Sequence, residues 1–309
     1  MSATNETGVC SGVLPAVLSP LNADLSPDHE LHVRHCRRLL TQGCDGLAIH
    51  GTTGEANSFS VAERIGTMQA LVEGGIDGKK IIAGTGCCSI PDSVALTKAA
   101  LEVGAAGALM LPPFYYKNPS DEGLFAAFSE VIQRVGDEAL KIYLYHFPAL
   151  SGVPITLTLI ERLLAAYPDT VVGIKDSSGN FENMKAMASS FPDFRVFAGS
   201  ESLLLDCLEI GGAGTISATV NVTSNQAAAV MTAWNTSNAP AAKQHQKRLT
   251  TSREALQAFP LVPALKAIMA RHTGDDGWLV MRPPLSVLDD ADQQALFEAI
   301  GGIDLEQAA

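Results

Sequence analysis

Apolar residues along this 309-residue chain gather into short unbroken runs and do not alternate with polar ones. The runs are Val13–Leu18 in "GVLPAVLS", Gly46–His50 in "GLAIH", Lys80–Gly84 in "KIIAG" and Gly107–Leu111 in "GALML". Lys141–His146 in "KIYLYH", Val171–Lys175 in "VVGIK", Arg195–Gly199 in "RVFAG" and Gly214–Ala218 in "GTISA" complete eight. Their starts fall roughly 20 to 35 residues apart, which fits one strand and one helix per unit. Runs that are apolar throughout are the mark of parallel strands covered on both faces.

The intervening segments carry helical spacing. In "SPDHELHVRHCRRLLTQGCDG", Leu31, Val33, Cys36, Leu39 and Leu40 share a face, and Ser26 or Asp28 can cap the start. "SVAERIGTMQALVEGG" opens on a Ser60–Glu63 capping pattern and closes on glycines. Eight such units predict an α/β fold, a (β/α)8 (TIM) barrel. A doubly wound sheet is the competing architecture, but no Gly-x-Gly-x-x-Gly follows the first strand. Past about residue 222 only helical patterns remain, among them "APAAKQHQKRLTTSREALQAF", "VPALKAIMARHT" and "DQQALFEAI". The expected organisation is a barrel over 1–235 and a C-terminal helical extension over 236–309, packed on the barrel and not independent.

Composition narrows the function classes. The chain is 47% hydrophobic and carries a net charge of −12. That argues for a soluble protein and against general nucleic-acid or anionic-membrane binding, both of which need basic patches. Six cysteines form no Cys-x-x-Cys pair, so reduced thiols and a cytoplasmic location are expected. "MSATNETGVCSG" has no basic start or long apolar core, and no signal peptide is expected there. "KQHQKR" reads as a solvated helix face, "MRPPLSVLDD" as a structural turn in which Arg282 pairs locally, and Trp234 and Trp278 as packing residues.

In a (β/α)8 barrel the chemistry lies at the carboxyl ends of the strands. Strand two runs into "HGTTGEANSFS", where Thr52 and Thr53 sit between glycines that let a ligand approach the backbone. The plain alternative is a tight turn with Thr53 as a cap. Strand four leads into "LPPFYYKNPSDEG", whose Tyr115 and Tyr116 suit a subunit contact. Tyr143 and Tyr145 of strand five point the same way, and Tyr145 is nearer the exit. His146 should point outward as a packed, hydrogen-bonded histidine. Val171, Gly173 and Lys175 of strand six share a face by period. If that face is the interior, Lys175 is a desolvated amine able to attack a carbonyl. Without the fold argument, an exposed strand-end lysine is the ordinary reading. No His-x-x-x-His or carboxylate cluster occupies these loops, so no metal is expected.

"GTTGE", "PPFYY", "YHFPALSG" and "GIKDSSG", in that order and on those units, resemble the dihydrodipicolinate synthase/N-acetylneuraminate lyase family of class I aldolases. The likeness runs over nearly the whole chain. It implies that Lys175 forms a Schiff base with pyruvate or another 2-oxo acid, with no other cofactor. It implies that Tyr145 and Thr52 relay protons and that Thr53 holds the 2-oxo acid's carboxylate. Tyr116 would reach into a neighbouring subunit of a homotetramer built as a dimer of dimers. Gly51, Ser177, Gly199, Ser200, Glu201 and Ile216 complete the substrate-binding set.

Substrate choice follows from departures. The synthases carry an arginine five residues after the strand-five tyrosine, where Leu150 stands here, unless Lys117 or another cation substitutes. "PALSGVPIT" is closer to the neuraminate lyase version, yet of that branch's acidic pair only Glu201 matches, and Ser202 takes the second place. The expected reaction is cleavage of a hydroxylated 2-oxo acid, of keto-deoxy sugar acid or 4-hydroxy-2-oxoglutarate type, to pyruvate and an aldehyde. Condensation of pyruvate with aspartate semialdehyde, a 2-oxo acid dehydratase with the same lysine, and a non-catalytic ligand-binding barrel are the alternatives.

Overall fold

The computed structural model describes residues 10–301; the reading of the first residues as free of a signal peptide and the tail of the extension beyond 301 lie largely outside them. Each expected run forms a strand: β1 Gly12–Pro15, β2 Leu47–Ile49, β3 Ile81–Gly84, β4 Gly107–Met110, β5 Ile142–His146, β6 Val171–Asp176, β7 Arg195–Ala198 and β8 Gly214–Ser217. They pair in parallel in the order β1-β8-β7-β6-β5-β4-β3-β2, and a bridge from Ala16 to Ala48 closes the barrel. Helices alternate with them: α1 His29–Thr41, α2 Val61–Glu73, α3 Ile90–Glu102, α4 Asp121–Val135, the single turn α5 Pro148–Ser151, α6 Leu157–Ala166, α7 Phe181–Ser190, α8 Leu204–Glu209 and α9 Val220–Asn235. The extension adds α10 Ala239–Gln257, α11 Leu261–Thr273 and α12 Asp290–Ile300. No helix among the described residues is long and apolar enough to cross a membrane.

Local chemistry sets the helix starts. Asp28, not Ser26, caps α1, accepting from the Leu31 amide at 2.8 Å. At α2 the Ser60 hydroxyl accepts from the Glu63 amide while Glu63 reaches back to the Ser60 amide, so two otherwise orphaned donors are satisfied. The strands bury both faces. Leu14, Ile82, Leu109, Tyr143, Phe197 and Ile216 fill the barrel interior, and outward residues pack in two clusters beneath the helices. The Tyr143 hydroxyl accepts from the Cys10 amide at 2.8 Å, just ahead of β1. Tyr143 therefore plugs the amino-terminal end of the barrel, and burial pushes its phenol well above the ordinary range.

Strand β6 departs from simple alternation. Ile142 pairs with Val171 but Tyr143 pairs with Gly173, so one extra residue sits at Val171–Val172. Val171 consequently packs outward with Ile174. The expected common face of Val171, Gly173 and Lys175 holds only for the last two. Gly173 has no room for a side chain: a Cβ there would lie 2.9 Å from the Tyr143 ring and 2.5 Å from the Arg195 carbonyl.

The extension is fastened to the barrel by charge as well as by apolar packing. Along α11, every residue from Pro263 to Ala270 is buried, which makes it a core helix. Its Lys266 Nζ lies 2.5 Å from the Glu55 carboxylate with both side chains fully buried, and it donates to the Val280 carbonyl at 2.9 Å. Burial holds the Lys266 ammonium below its ordinary range and Glu55 draws it back up. Glu55 ends the "GTTGE" turn, so this pair ties α11 to the loop bearing Thr52 and Thr53. One expectation changes here. Arg282 pairs not locally but with Glu63 of α2, and its guanidinium also donates to the Leu25 and Ser58 carbonyls. Trp278 is buried, and Trp234 is 37% exposed.

Breaking a buried pair leaves an uncompensated charge, which costs about 3–5 kcal/mol. Lys266→Met is expected to lower unfolding free energy by that amount in urea titration, and the double variant Lys266→Met/Glu55→Gln is expected to recover a large part of it. A double variant no more stable than the single one contradicts this account.

Candidate active site

The β5–β6 register places Lys175 directly beside Tyr145 at the carboxyl end of the barrel. Lys175 is buried, and its Nζ donates to the Tyr145 hydroxyl at 3.3 Å while lying 4.4 Å from the centre of that ring. The Tyr145 hydroxyl is in turn 3.2 Å from the Thr52 hydroxyl, delivered by the turn after β2. Amine, phenol and alcohol thus form one hydrogen-bonded line drawn from three separate units. Phe147 stacks on Tyr145 at 5.8 Å between ring centres and restrains the ring.

This line borders a cavity of about 580 Å³, also bounded by Thr53, Ser177, Gly199, Ser200 and Ser202. Gly199 is dictated by crowding, since a Cβ would fall 2.2 Å from the Ser177 hydroxyl and 2.6 Å from the Asp176 carbonyl oxygen. Asp176 orders the loop after β6: its carboxylate accepts from the Ser178 amide at 2.7 Å and from Asn183 at 2.8 Å. His146 faces away, its Nδ1 accepting from the Ile155 amide at 3.0 Å, and burial lowers its pKa.

Other expected site residues stand elsewhere. Gly51 lines a small recess beside Thr52 and Tyr145, not the main cavity. Ile216 packs in the barrel interior. Tyr115 and Tyr116 meet edge to face at 5.3 Å, are 73% and 81% exposed, and do not reach Tyr145 within one chain. Glu201 is corrected outright. A single 3₁₀ turn over Glu201–Leu203 turns Ser200 and Ser202 to the cavity and sends Glu201 behind it, fully buried. There its carboxylate accepts from Ser217 and lies 3.5 Å from Arg253 of α10.

Arg253 is what sequence reasoning missed. It borders the cavity with Gln257, Leu261 and Val262, all from the extension. The signal lay in Glu201: a buried acid requires a cation, but nothing local in the sequence says which one. Lys117 does not fill the place of the arginine replaced by Leu150, because its ammonium is taken up by the Phe114 and Ser151 carbonyls at 2.5 and 2.8 Å. Leu150 itself lies at the cavity wall.

Comparison with known proteins decides the family. The model of the dihydrodipicolinate synthetase family matches residues 9–302. The chain belongs to that family. A relative from Chloroflexus aurantiacus, described as an uncharacterized DapA-like lyase, is 37% identical over 288 residues, covering 92% of this chain and 94% of its own. The crystal structure of dihydrodipicolinate synthase from Agrobacterium tumefaciens is similar with a TM-score of 0.86 and 31% identity, covering 95% of this chain and 99% of that one. YagE, a prophage protein of the same family from E. coli K12 solved in complex with pyruvate, gives a TM-score of 0.87 and 25% identity over 96% and 99% of the two chains. Members of the dihydrodipicolinate synthetase family are enzymes of the lyase and aldolase type, and this chain is one of them.

The line Lys175–Tyr145–Thr52 predicts a division of labour. Loss of a positioned proton-transfer group costs typically about 10²–10⁴-fold. Tyr145→Phe is expected to lower turnover on the preferred substrate within that range while thermal melting stays close to the parent. Turnover within a factor of two of the parent would contradict a proton-transfer role.

Proposed function

We propose that this protein cleaves a hydroxylated 2-oxo acid, of keto-deoxy sugar acid or 4-hydroxy-2-oxoglutarate type, to pyruvate and an aldehyde through a Schiff base on Lys175. The observation that carries the reading is the buried Lys175 amine in line with the Tyr145 and Thr52 hydroxyls at the wall of one cavity. The pyruvate bound to YagE supports a 2-oxo acid in this chain as well.

The neutral amine adds to the C2 carbonyl, and Tyr145 gives its proton to the departing hydroxyl, so that water leaves and an iminium and a phenolate remain. The iminium is an electron sink. The Tyr145 phenolate takes the proton of the C4 hydroxyl, the C3–C4 electron pair moves into the iminium, and the aldehyde departs, leaving an enamine. A proton returned through Tyr145 and Thr52 to C3, followed by hydrolysis, releases pyruvate and restores the amine. Thr53 and its amide hold the C1 carboxylate. The lysine itself supplies the electron sink, so the scheme uses no dissociable cofactor and no metal. Tyr116, exposed here, acts across the interface of a cytoplasmic homotetramer made of dimers, completing a neighbour's relay.

Condensation with aspartate semialdehyde is the second reading, favoured by the likeness to the Agrobacterium tumefaciens synthase. Against it stands Leu150, an apolar side chain at the cavity wall where the resemblance calls for arginine.

A panel of 2-oxo acid aldols, assayed for pyruvate release through lactate dehydrogenase, tests the proposal. Cleavage of at least one hydroxylated 2-oxo acid faster than condensation of pyruvate with aspartate semialdehyde is expected, with turnover lowered in Tyr116→Phe. Fastest turnover in the condensation overturns the substrate assignment, and unchanged turnover in Tyr116→Phe overturns the relay role.

A further inference from the structure

We propose that Arg253, carried into the cavity by α10, is the specificity residue that receives a second carboxylate at the far end of the substrate, so that the preferred substrate is a 4-hydroxy-2-oxo dicarboxylic acid. The inference rests on the Schiff-base reading above and sharpens it by choosing between the substrate classes that reading admits.

Arg253 and Lys175 border the same cavity. The Arg253 Nη1 lies 3.3 Å from the hydroxyl of Ser217, the last residue of β8, and 3.3 Å from that of Thr219. Lys175 stands on β6, two strands away. Two strand spacings are about 10 Å. A substrate held at C2 by Lys175 and extending over β7 therefore runs toward the guanidinium.

The Arg253 side chain is only 14% exposed, and its guanidinium is fixed by four contacts: Nη1 to Ser217, Thr219 and Glu201, and Nε to Gln257 at 3.4 Å. Nη2 has no hydrogen-bond partner among the described residues. An arginine held in one geometry loses little freedom on binding, and its fork is matched to a carboxylate. Glu201 lies buried behind it and balances its charge. Glu201 is itself satisfied by Ser217 and by Thr223, so a second carboxylate can engage the open nitrogen without stripping Glu201 of every partner.

Among the residues bordering this cavity, Lys175 and Arg253 are the two cations. The Lys175 amine is consumed in the imine. Hydroxyl groups of a sugar acid are matched by Ser177, Ser200 and Ser202 and call for no cation, whereas a guanidinium with an open nitrogen is matched to a carboxylate. The arginine that the resemblance places after β5 is absent. The cation has moved to the other side of the cavity, which places the distal carboxylate near β8 and not beside Leu150.

The experiment compares 4-hydroxy-2-oxoglutarate, a diacid, with 2-keto-3-deoxygluconate, a monoacid ending in an alcohol. The parent is expected to prefer the diacid by kcat/KM. Because Arg253→Gln alone strands Glu201, the test variant is the double Arg253→Gln/Glu201→Gln. In it KM for the diacid is expected to rise about 10- to 100-fold, the equivalent of one charge-assisted contact, with kcat nearly held and the monoacid parameters within about threefold. Glutarate, a non-reacting diacid, is expected to inhibit the parent and not the variant, while butyrate inhibits neither. A parent that prefers the monoacid overturns the Arg253 assignment and leaves the Schiff-base reading standing, as does an unchanged diacid KM in a variant that still cleaves the monoacid. Equal losses on both substrates reduce Arg253 to a structural role and overturn the assignment. A parent that cleaves neither compound nor any other 2-oxo aldol overturns both readings.

Discussion

The register of β6 against β5 is the constraint on which this site depends. Side chains of a strand alternate between faces, so a slip of one residue would send Lys175 into the apolar layer beneath the helices. The irregularity at Val171–Val172 sets the phase: it turns Val171 outward and leaves Gly173 and Lys175 facing inward. Gly173 then gives the Tyr143 ring the room it needs, and Tyr143 closes the bottom of the barrel through the Cys10 amide. With the floor sealed in this way, Tyr145 and Lys175 meet two residues higher, where the barrel opens into the cavity. One local irregularity thus decides whether the chain holds a buried amine in a pocket or a buried charge in a helix layer.

The C-terminal extension belongs to the site as much as to the scaffold. Two of its cations reach carboxylates in the loops that follow strands. Lys266 meets Glu55 at the end of the threonine turn, and Arg253 meets Glu201 after β7. Neither acid has its partner nearby in sequence, and each is fully buried. A buried ion pair adds little net stability, but it penalises any arrangement in which its partners are apart. Here that penalty fixes where α10 and α11 sit relative to the two loops. The wall of the cavity opposite the barrel is consequently made by residues of the extension, and changes in that extension alter the space available to a substrate without touching Lys175.

The strands were legible because parallel barrel strands are buried on both faces and so appear as continuous apolar runs; all eight appear where the runs lie. The helix start at Ser60 was legible for a similarly local reason, since a cap needs only residues three apart, whereas that of α1 was narrowed only to Ser26 or Asp28. Lys175, Tyr145 and Thr52 could be gathered because the fold brings every strand's carboxyl end to one face. What was not legible depends on tertiary pairing. The inward or outward phase of Val171 is set by an irregularity that no residue type announces. Arg282 looked local but binds Glu63, 219 positions away. Glu201 was expected to bind substrate because it matches the first acid of the neuraminate lyase branch, yet a 3₁₀ turn sends it backward, and the residue that takes its place in the cavity lies 52 positions later.

The family is settled by sequence and fold, and the chemistry proposed for it turns on whether the Lys175 amine attacks a 2-oxo acid. That event leaves a covalent trace. Incubation of the enzyme with pyruvate and sodium borohydride reduces any iminium to a stable secondary amine, which peptide mass spectrometry assigns to one residue. The account predicts a single reduced pyruvyl adduct on Lys175, dependent on pyruvate and abolished in Lys175→Met. Absence of an adduct, or its appearance on another lysine, would contradict it.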